Sequence, residues 1–350
     1  MAEPLLLKGA PGSPYTRKML AYMRYRHIPY RLMIGDQGDQ EGRALPQPKV
    51  SLLPTFYLPN SAGELEAVVD STPLIRRFES MFTGRETVPS APALRLLHDL
   101  IEDYADEWLT KAMFHYRWHY ADDIEKAGLI LPLWRDLNQS AAQLEKTSEF
   151  IRERQISRLY VVGSNKATWA AIEASYERFL TAMDELVEAQ SFLFGARPSA
   201  ADFGLYAQLT QLAGFDPTPQ RLCLQKAPRV YAWVDVVDDL SGLDVAQDWP
   251  TWQTPPAALR PLLEEVGRVY PAVMLANAEA IAQGESTFVT EILGETWEQP
   301  VFVYQARCLK VLRTQFDELA APERDQFMAM IEGTGCEDLF LNLKGHNAID

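Results

Sequence analysis

Leu5-Leu6-Leu7-Lys8-Gly9-Ala10-Pro11-Gly12-Ser13-Pro14-Tyr15-Thr16-Arg17-Lys18-Met19-Leu20 is the stretch from which the fold is read. Three leucines make an apolar strand-like run, Gly12 to Lys18 form a polar turn, and Met19, Leu20 and Met23 open an amphipathic helix behind it. Such a strand-to-helix turn aims backbone N–H groups and the positive end of a helix dipole at one point, which favours a bound anion or thiolate there. Ser13 places a hydroxyl at the mouth of that turn and is the first candidate for chemistry.

Tyr30 to Ile34 reads as a second strand, Gly35 to Gly42 as a polar Gly-rich loop, and Leu53-Pro54-Thr55-Phe56-Tyr57-Leu58 as a third strand. A proline entering a strand marks either an edge-strand start or a cis peptide that turns backbone groups toward a ligand. The local sequence by itself favours trans, because only about one X-Pro bond in twenty is cis in folded proteins. After Leu65 to Val69 comes Asp70-Ser71-Thr72-Pro73-Leu74-Ile75, where Ser71 reads as a helix N-cap, Pro73 sits in the first turn, and Leu74, Ile75 and Phe78 form the apolar face.

This order of strand, Ser13 helix, strand, loop, Leu53-Pro54 strand, strand and Asp70-Ser71 helix resembles the thioredoxin-like domain of glutathione S-transferases over roughly the first eighty residues. Each motif is short, and the order and spacing carry the resemblance. It implies that Ser13 contacts the glutathione sulfur, that the backbone at Leu53 before a cis Pro54 pairs with the cysteinyl unit, and that Asp70 and Ser71 take the γ-glutamyl end. Many family members carry a lysine two residues before the proline. Here that position is Leu52, which leaves Gln47 and Lys49 as candidates for the glycine carboxylate. The glutaredoxin-like branch needs cysteine where Ser13 or Thr16 stands, so dithiol redox chemistry is disfavoured.

Thr83 to Pro92 is rich in breakers and reads as a linker. Beyond it Leu94, Leu97, Ile101, Tyr104, Trp108 and Ala112 recur at three- and four-residue steps and predict one long helix, with further helices over 140–159, 169–189 and 200–212. Ser199 and Asp202 have the spacing of a capping box, a structural role. They also resemble the N-capping box of the family's all-helical domain, which extends the resemblance to about residue 240. In that domain the first long helix lines the electrophile pocket, so the resemblance implies Tyr15, Tyr104, Trp108 and Tyr116 as pocket residues; core packing is the ordinary role of an aromatic stripe.

Composition bounds the answer separately. A chain of 350 residues, 47% hydrophobic, can bury a large core and divides into two or three units. Its net charge of −15 opposes both nucleic acid and anionic membrane as partners. Lys8, Arg17, Lys18, Arg24, Arg26 and Arg31 are a local exception without an acid between Pro4 and Gly35. They read as solvated helix-face charges or as attraction for an anionic tripeptide. No stretch has the length of a membrane span or the form of a signal peptide, and Cys223, Cys308 and Cys336 are isolated, so a cytoplasmic location is expected.

The expected fold is therefore α/β plus all-α: residues 1–82 thioredoxin-like, 93–240 an all-helical domain, and 241–350 a helical extension packed on the body. Asp248-Trp249-Pro250-Thr251-Trp252 forms the joint, Arg260 to Ile281 and Val303 to Leu319 read as helices, and Gly294 to Pro300 as a turn. His115 and His119 share a helix face at a spacing that permits zinc, with Asp122 and Asp123 nearby. No third ligand is evident, and no metal is expected. The function implied is a transferase that activates the glutathione thiolate for attack on a small apolar electrophile, as a homodimer. Alternatives are a glutathione-binding scaffold without turnover and a glutathione-dependent isomerase or ether-cleaving enzyme.

Overall fold

The computed structural model describes residues 3–34, 44–245 and 248–341; the loop expected from Gly35 to Gly42 lies outside the described residues. The chain begins with β1 (Leu5–Gly9), α1 (Pro14–Tyr25), β2 (Tyr30–Ile34), β3 (Thr55–Pro59), β4 (Leu65–Val68) and α2 (Ser71–Met81). The strands form one sheet in the order β2-β1-β3-β4, with β1 parallel to β2 and antiparallel to β3, and β3 antiparallel to β4. A parallel neighbour for β1 needs a crossover, which α1 supplies. The β3–β4 pair needs only a tight turn, closed by Gly63 at φ 80°.

At the start of α2 the expected N-cap is displaced by one residue. The first helical bond runs from the Leu74 N–H to the Asp70 carbonyl at 3.3 Å, so Asp70 is the cap and Ser71 the first helical residue. Pro73 is tolerated there because the first-turn N–H groups have no helical partner anyway.

The long helix runs as α3 (Pro92–Tyr104), a π-helical turn (Ala105–Leu109) and α4 (Thr110–His119). Then follow α5 (Ala121–Leu133), α6 (Ala141–Ile156), α7 (Trp169–Ala189), α8 (Ala200–Leu212), α9 (Pro217–Lys226) and α10 (Pro228–Asp238). The capping box opens α8: Asp202 Oδ2 accepts from the Ser199 N–H at 2.8 Å, and Ser199 Oγ accepts from the Asp202 N–H at 3.3 Å. Asp202 Oδ1 also accepts from the Leu193 N–H at 2.8 Å, so the carboxylate is saturated by structural bonds.

The extension comprises α11 (Arg260–Ala282), β5 (Thr287–Ile292), β6 (Glu295–Pro300), α12 (Val303–Glu318), α13 (Ala321–Ile331) and α14 (Asp338–Leu341). The sequence leads one to expect a helical extension, but β5 and β6 form a hairpin within it, paired antiparallel from Thr287–Pro300 to Ile292–Glu295. Leu293 at φ 56° and Gly294 at φ 81° make the two-residue left-handed turn that matches strand twist. Among the described residues no helix is long and apolar enough to cross a membrane.

One hydrophobic core runs through all three parts. Leu7, Phe56 and Ile75 from the sheet half, Leu97, Phe179 and Phe203 from the helices, and Val266, Met274, Trp297, Leu309 and Phe327 from the extension belong to the same buried cluster. At the joint, Trp249 and Trp252 pack on Phe194, with ring centroids 6.5 and 5.7 Å away. Truncation after Leu240 would leave these faces wet. The shortened chain is expected to be insoluble or to melt well below the full chain; a soluble product with the parental melting temperature would show the extension to be an independent appendage.

Candidate functional site

Ser13 is the N-cap of α1, with Pro14 at the first helical position. Its Oγ accepts from the Thr16 N–H at 3.2 Å and donates to the Leu53 carbonyl at 3.1 Å. The preceding loop is clamped from three helices. Pro11 O accepts from Arg17 Nε and Gln211 Nε2, and Gly12 O accepts from an Arg117 guanidinium nitrogen, each at 3.2 Å. Buried Asp216 fixes Arg117 in turn, at 2.8 to 3.1 Å. Gly12 admits no side chain, since a Cβ would lie 2.3 Å from Leu131 Cδ2 on α5.

The Leu53–Pro54 peptide is cis. Extending the β3–β4 register from the Phe56–Val68 pair by two residues brings Pro54 opposite Asp70, so Ser13, Leu53, Pro54 and Asp70 meet at one end of the sheet. Ser71 is buried beside them, whereas Gln47 and Lys49 lie exposed in the loop that precedes Leu53. Asp70 holds φ 84°, a conformation strained for any residue but glycine, and its side chain makes no cap bond. Instead its Oδ2 accepts a hydrogen bond from the Tyr304 hydroxyl of α12 at 2.6 Å. Residues of the extension therefore reach the same sheet end.

Of the four aromatic residues expected to line an electrophile pocket, Tyr104, Trp108 and Tyr116 are buried in the packing and Tyr15 is half-buried. Tyr104, Trp108 and Tyr116 are at most 3% exposed. Tyr104 meets Tyr270 edge-on at 6.0 Å, Trp108 lies 5.3 Å from Trp297 and donates to Ser175 Oγ at 2.8 Å, and Tyr116 packs on Tyr176 at 5.5 Å. Tyr15 donates to the Asp106 carbonyl at 2.8 Å, and burial raises its pKa. Tyr270 and Trp297, both supplied by the extension, thus pack against Tyr104 and Trp108.

The basic run near the N-terminus is corrected in part. Lys18 has no exposed surface; its Nζ lies 2.6 Å from Asp106 Oδ2, 2.8 Å from Glu102 Oε1 and 3.2 Å from Thr72 Oγ1. Arg26 is buried against Glu79. Neither is a solvated helix-face charge, because each has its counterion inside the protein.

Around the π-helical turn, acids are held away from water. Burial, reinforced by Asp103 and Asp106, pushes the Glu107 carboxyl up to about 8, and burial pushes Lys111 down. A carboxyl whose folded value is raised contributes its stability below the unfolded value near 4.5 and loses it as pH rises through about 8. Glu107→Gln should therefore gain stability relative to the parent as pH rises from about 5 to about 9. Urea unfolding at several pH values checks this, and a difference independent of pH would overturn it.

The profile of the glutathione S-transferase N-terminal domain matches residues 7–86, and that of the C-terminal domain matches residues 137–235. The chain belongs to the glutathione S-transferase superfamily. A thioredoxin-like domain with a small sheet is followed by the family's helical domain and then by extra C-terminal elements. No curated protein gives a significant match. Among solved structures, the chain is similar to a glutathione transferase family member from Pseudomonas fluorescens Pf-5 with bound glutathione, at 18% identity over 71% of this chain and 100% of that one, with a TM-score of 0.37. A glutathione S-transferase from Rhodospirillum rubrum F11 is 13% identical over 73% and 99% of the two chains, with a TM-score of 0.39. The Tau class enzyme of mango, Mangifera indica, is 13% identical over 68% and 90%, with a TM-score of 0.38. Likenesses of this size leave the assignment resting on the two domain matches.

Sequence reasoning missed Tyr304 as a contributor to this end of the molecule and Lys18 as a buried cation behind it. Tyr304 is 234 residues from its partner Asp70, a separation no local pattern bridges. Lys18 carries a signal of its own: it lies between Thr16 and Met19 on the apolar side of an amphipathic helix, where a lysine needs a buried partner.

Proposed function

We propose that the chain binds glutathione at the sheet end formed by Ser13, Leu53, Pro54, Asp70 and Ser71, and that Ser13 activates its thiol for attack on an apolar electrophile. The observation that carries this reading is the Ser13 hydroxyl at the N-terminus of α1, 3.1 Å from the Leu53 carbonyl. A cysteinyl N–H arriving at that carbonyl would take over its hydrogen bond and free the hydroxyl to turn to the sulfur. The thiolate would then be held by one donor and the helix dipole, which raises its population at neutral pH. Asp70 offers a carboxylate to the γ-glutamyl ammonium, the N-terminus of α2 at Ser71 offers amides to the adjoining carboxylate, and Gln47 or Lys49 serves the glycine end.

A hydrogen bond to a charged group is worth about 1.5–3 kcal/mol. Ser13→Ala should accordingly reduce turnover with a model electrophile by roughly one to two orders of magnitude while calorimetry still finds glutathione bound. Parental turnover in this variant would remove Ser13 from the mechanism.

A second reading, glutathione binding without turnover, is favoured by one observation: the wall at Tyr104 and Trp108 is filled by Tyr270 and Trp297. Binding by the parent with no activity in conjugation, isomerisation and peroxide assays would select it. Either reading requires Asp70. Asp70→Ala should weaken glutathione, and Tyr304→Phe should change affinity less, since it removes a neighbour of the carboxylate and leaves the charge. Parental affinity in folded Asp70→Ala would sink the assignment of this end of the site.

A further inference from the structure

His115 and His119 occupy one face of α4, one helical turn apart, and their rings stack with centroids 4.8 Å apart. The third group missing from the sequence is Glu173 on α7. His115, His119 and Glu173 each bring a ligand atom within 4.8 Å of the others. We propose that these three residues bind a divalent transition metal of the zinc class, with two imidazoles and one carboxylate as ligands.

The surroundings are those of a supported site. His115 is fully buried, and its Nδ1 lies 2.8 Å from Ser164 Oγ, which fixes the ring with Nε2 toward Glu173 Oε1 at 3.1 Å. Tyr120 donates to the same Glu173 oxygen at 2.7 Å, and Trp169 packs against His119 at 4.2 Å. Partners of this kind orient metal ligands and set ring tautomers. The loop bearing Ser164 is pinned to the β5–β6 hairpin: Gln299 Nε2 donates to Val161 O at 2.9 Å, and Asn165 Nδ2 donates to Glu298 O at 3.1 Å. His119 and Glu173 are half-exposed, so a cation can enter and a fourth coordination position faces water.

A nitrogen-rich set with one carboxylate suits zinc, cobalt or nickel and is poor for magnesium or calcium, which require oxygen ligands. Zinc sits about 2.0–2.2 Å from such atoms, so the three ligand atoms, now within 4.8 Å of one another, would draw closer around it. The other histidine–acid cluster, His98, Asp99 and Glu102, differs in kind. Arg76 bonds both Asp99 and Glu102 at 2.6 Å, and Lys18 also meets Glu102, so cationic side chains already occupy it.

The test uses the full chain without a histidine tag, stripped with chelator and titrated with Co²⁺. The parent is expected to bind one equivalent with the intense visible bands of four-coordinate cobalt, to lose them on adding Zn²⁺, and to melt higher with Zn²⁺ present. His119→Phe keeps a ring on Trp169 and His115, and Glu173→Gln keeps a hydrogen-bonding group beside His115. Both should fold with the metal-free parental melting temperature and bind at least about 100-fold more weakly, while Ser164→Ala should lose roughly 10- to 100-fold. Absence of stoichiometric binding in the parent, or undiminished binding in both folded variants, overturns the proposal.

Discussion

A lysine with no exposed surface holds the two halves of this molecule in one arrangement. Lys18 of α1 meets Glu102 and Asp106 on the long helix. Arg76 of α2 meets Glu102 again and Asp99. The node then spreads: Asp99 bonds His98 Nδ1 at 2.7 Å, His98 Nε2 accepts from the Ala201 N–H of α8 at 3.1 Å, and Gln315 of α12 donates to Asp99 at 2.9 Å. Desolvating such charges is costly, and leaving one without its partner costs about 3–5 kcal/mol, so the network tolerates only one way of docking α1 and α2 on α3. Those helices carry Ser13 and Asp70 at their N-termini. The relative position of the two ends of the candidate site therefore depends on charges well behind it.

The extension changes what that site can offer. In the two-domain reading, the long helix presents an aromatic stripe to a bound electrophile. Here Trp297 and Tyr270 cover it with rings in van der Waals contact, and Tyr304 bonds the carboxylate that a ligand's ammonium would seek. Opening the wall at Trp108 would expose a buried indole and break a core at native density, at a cost of several kcal/mol. On the transferase reading an electrophile would have to reach the sulfur from another side, and the binding reading needs none.

What the sequence disclosed and what it hid divide by range. The β1–α1 turn at Ser13 and the Ser199–Asp202 cap are each written in a few adjacent residues and stand as local structures, whereas the local sequence at Leu53-Pro54 favours trans and only the family resemblance implies the cis bond found there. The Ser71 hydroxyl marks a cap one residue too late, because Asp70 caps α2 through its carbonyl. The β5–β6 hairpin is hard to see in the sequence because its strands are polar on one face and its two-residue turn, Leu293-Gly294, has a leucine where Asn or Asp is usual. Glu173 lies 58 residues from His115, so nothing local announces the pair.

Asp103, Glu107, Lys111, His115 and His119 recur every four residues beside the aromatic stripe, and such a row ordinarily marks a helix face turned to water. Here the added elements and their neighbours cover it. Tyr270 donates to Asp103, Gln305 Nε2 donates to the Glu107 carbonyl at 3.3 Å, Gln299 accepts from Lys111 at 3.0 Å, and Ser164 and Glu173 flank His115. Four-residue steps drift around a helix of 3.6 residues per turn, and a row this long would wind away from a fixed partner. The π-helical turn at Ala105–Leu109 has a wider turn and offsets part of that drift midway along the row. The irregularity in the helix thus helps to keep the polar row under the cover of the extension, where Asp103, Lys111 and His115 find hydrogen-bonding partners.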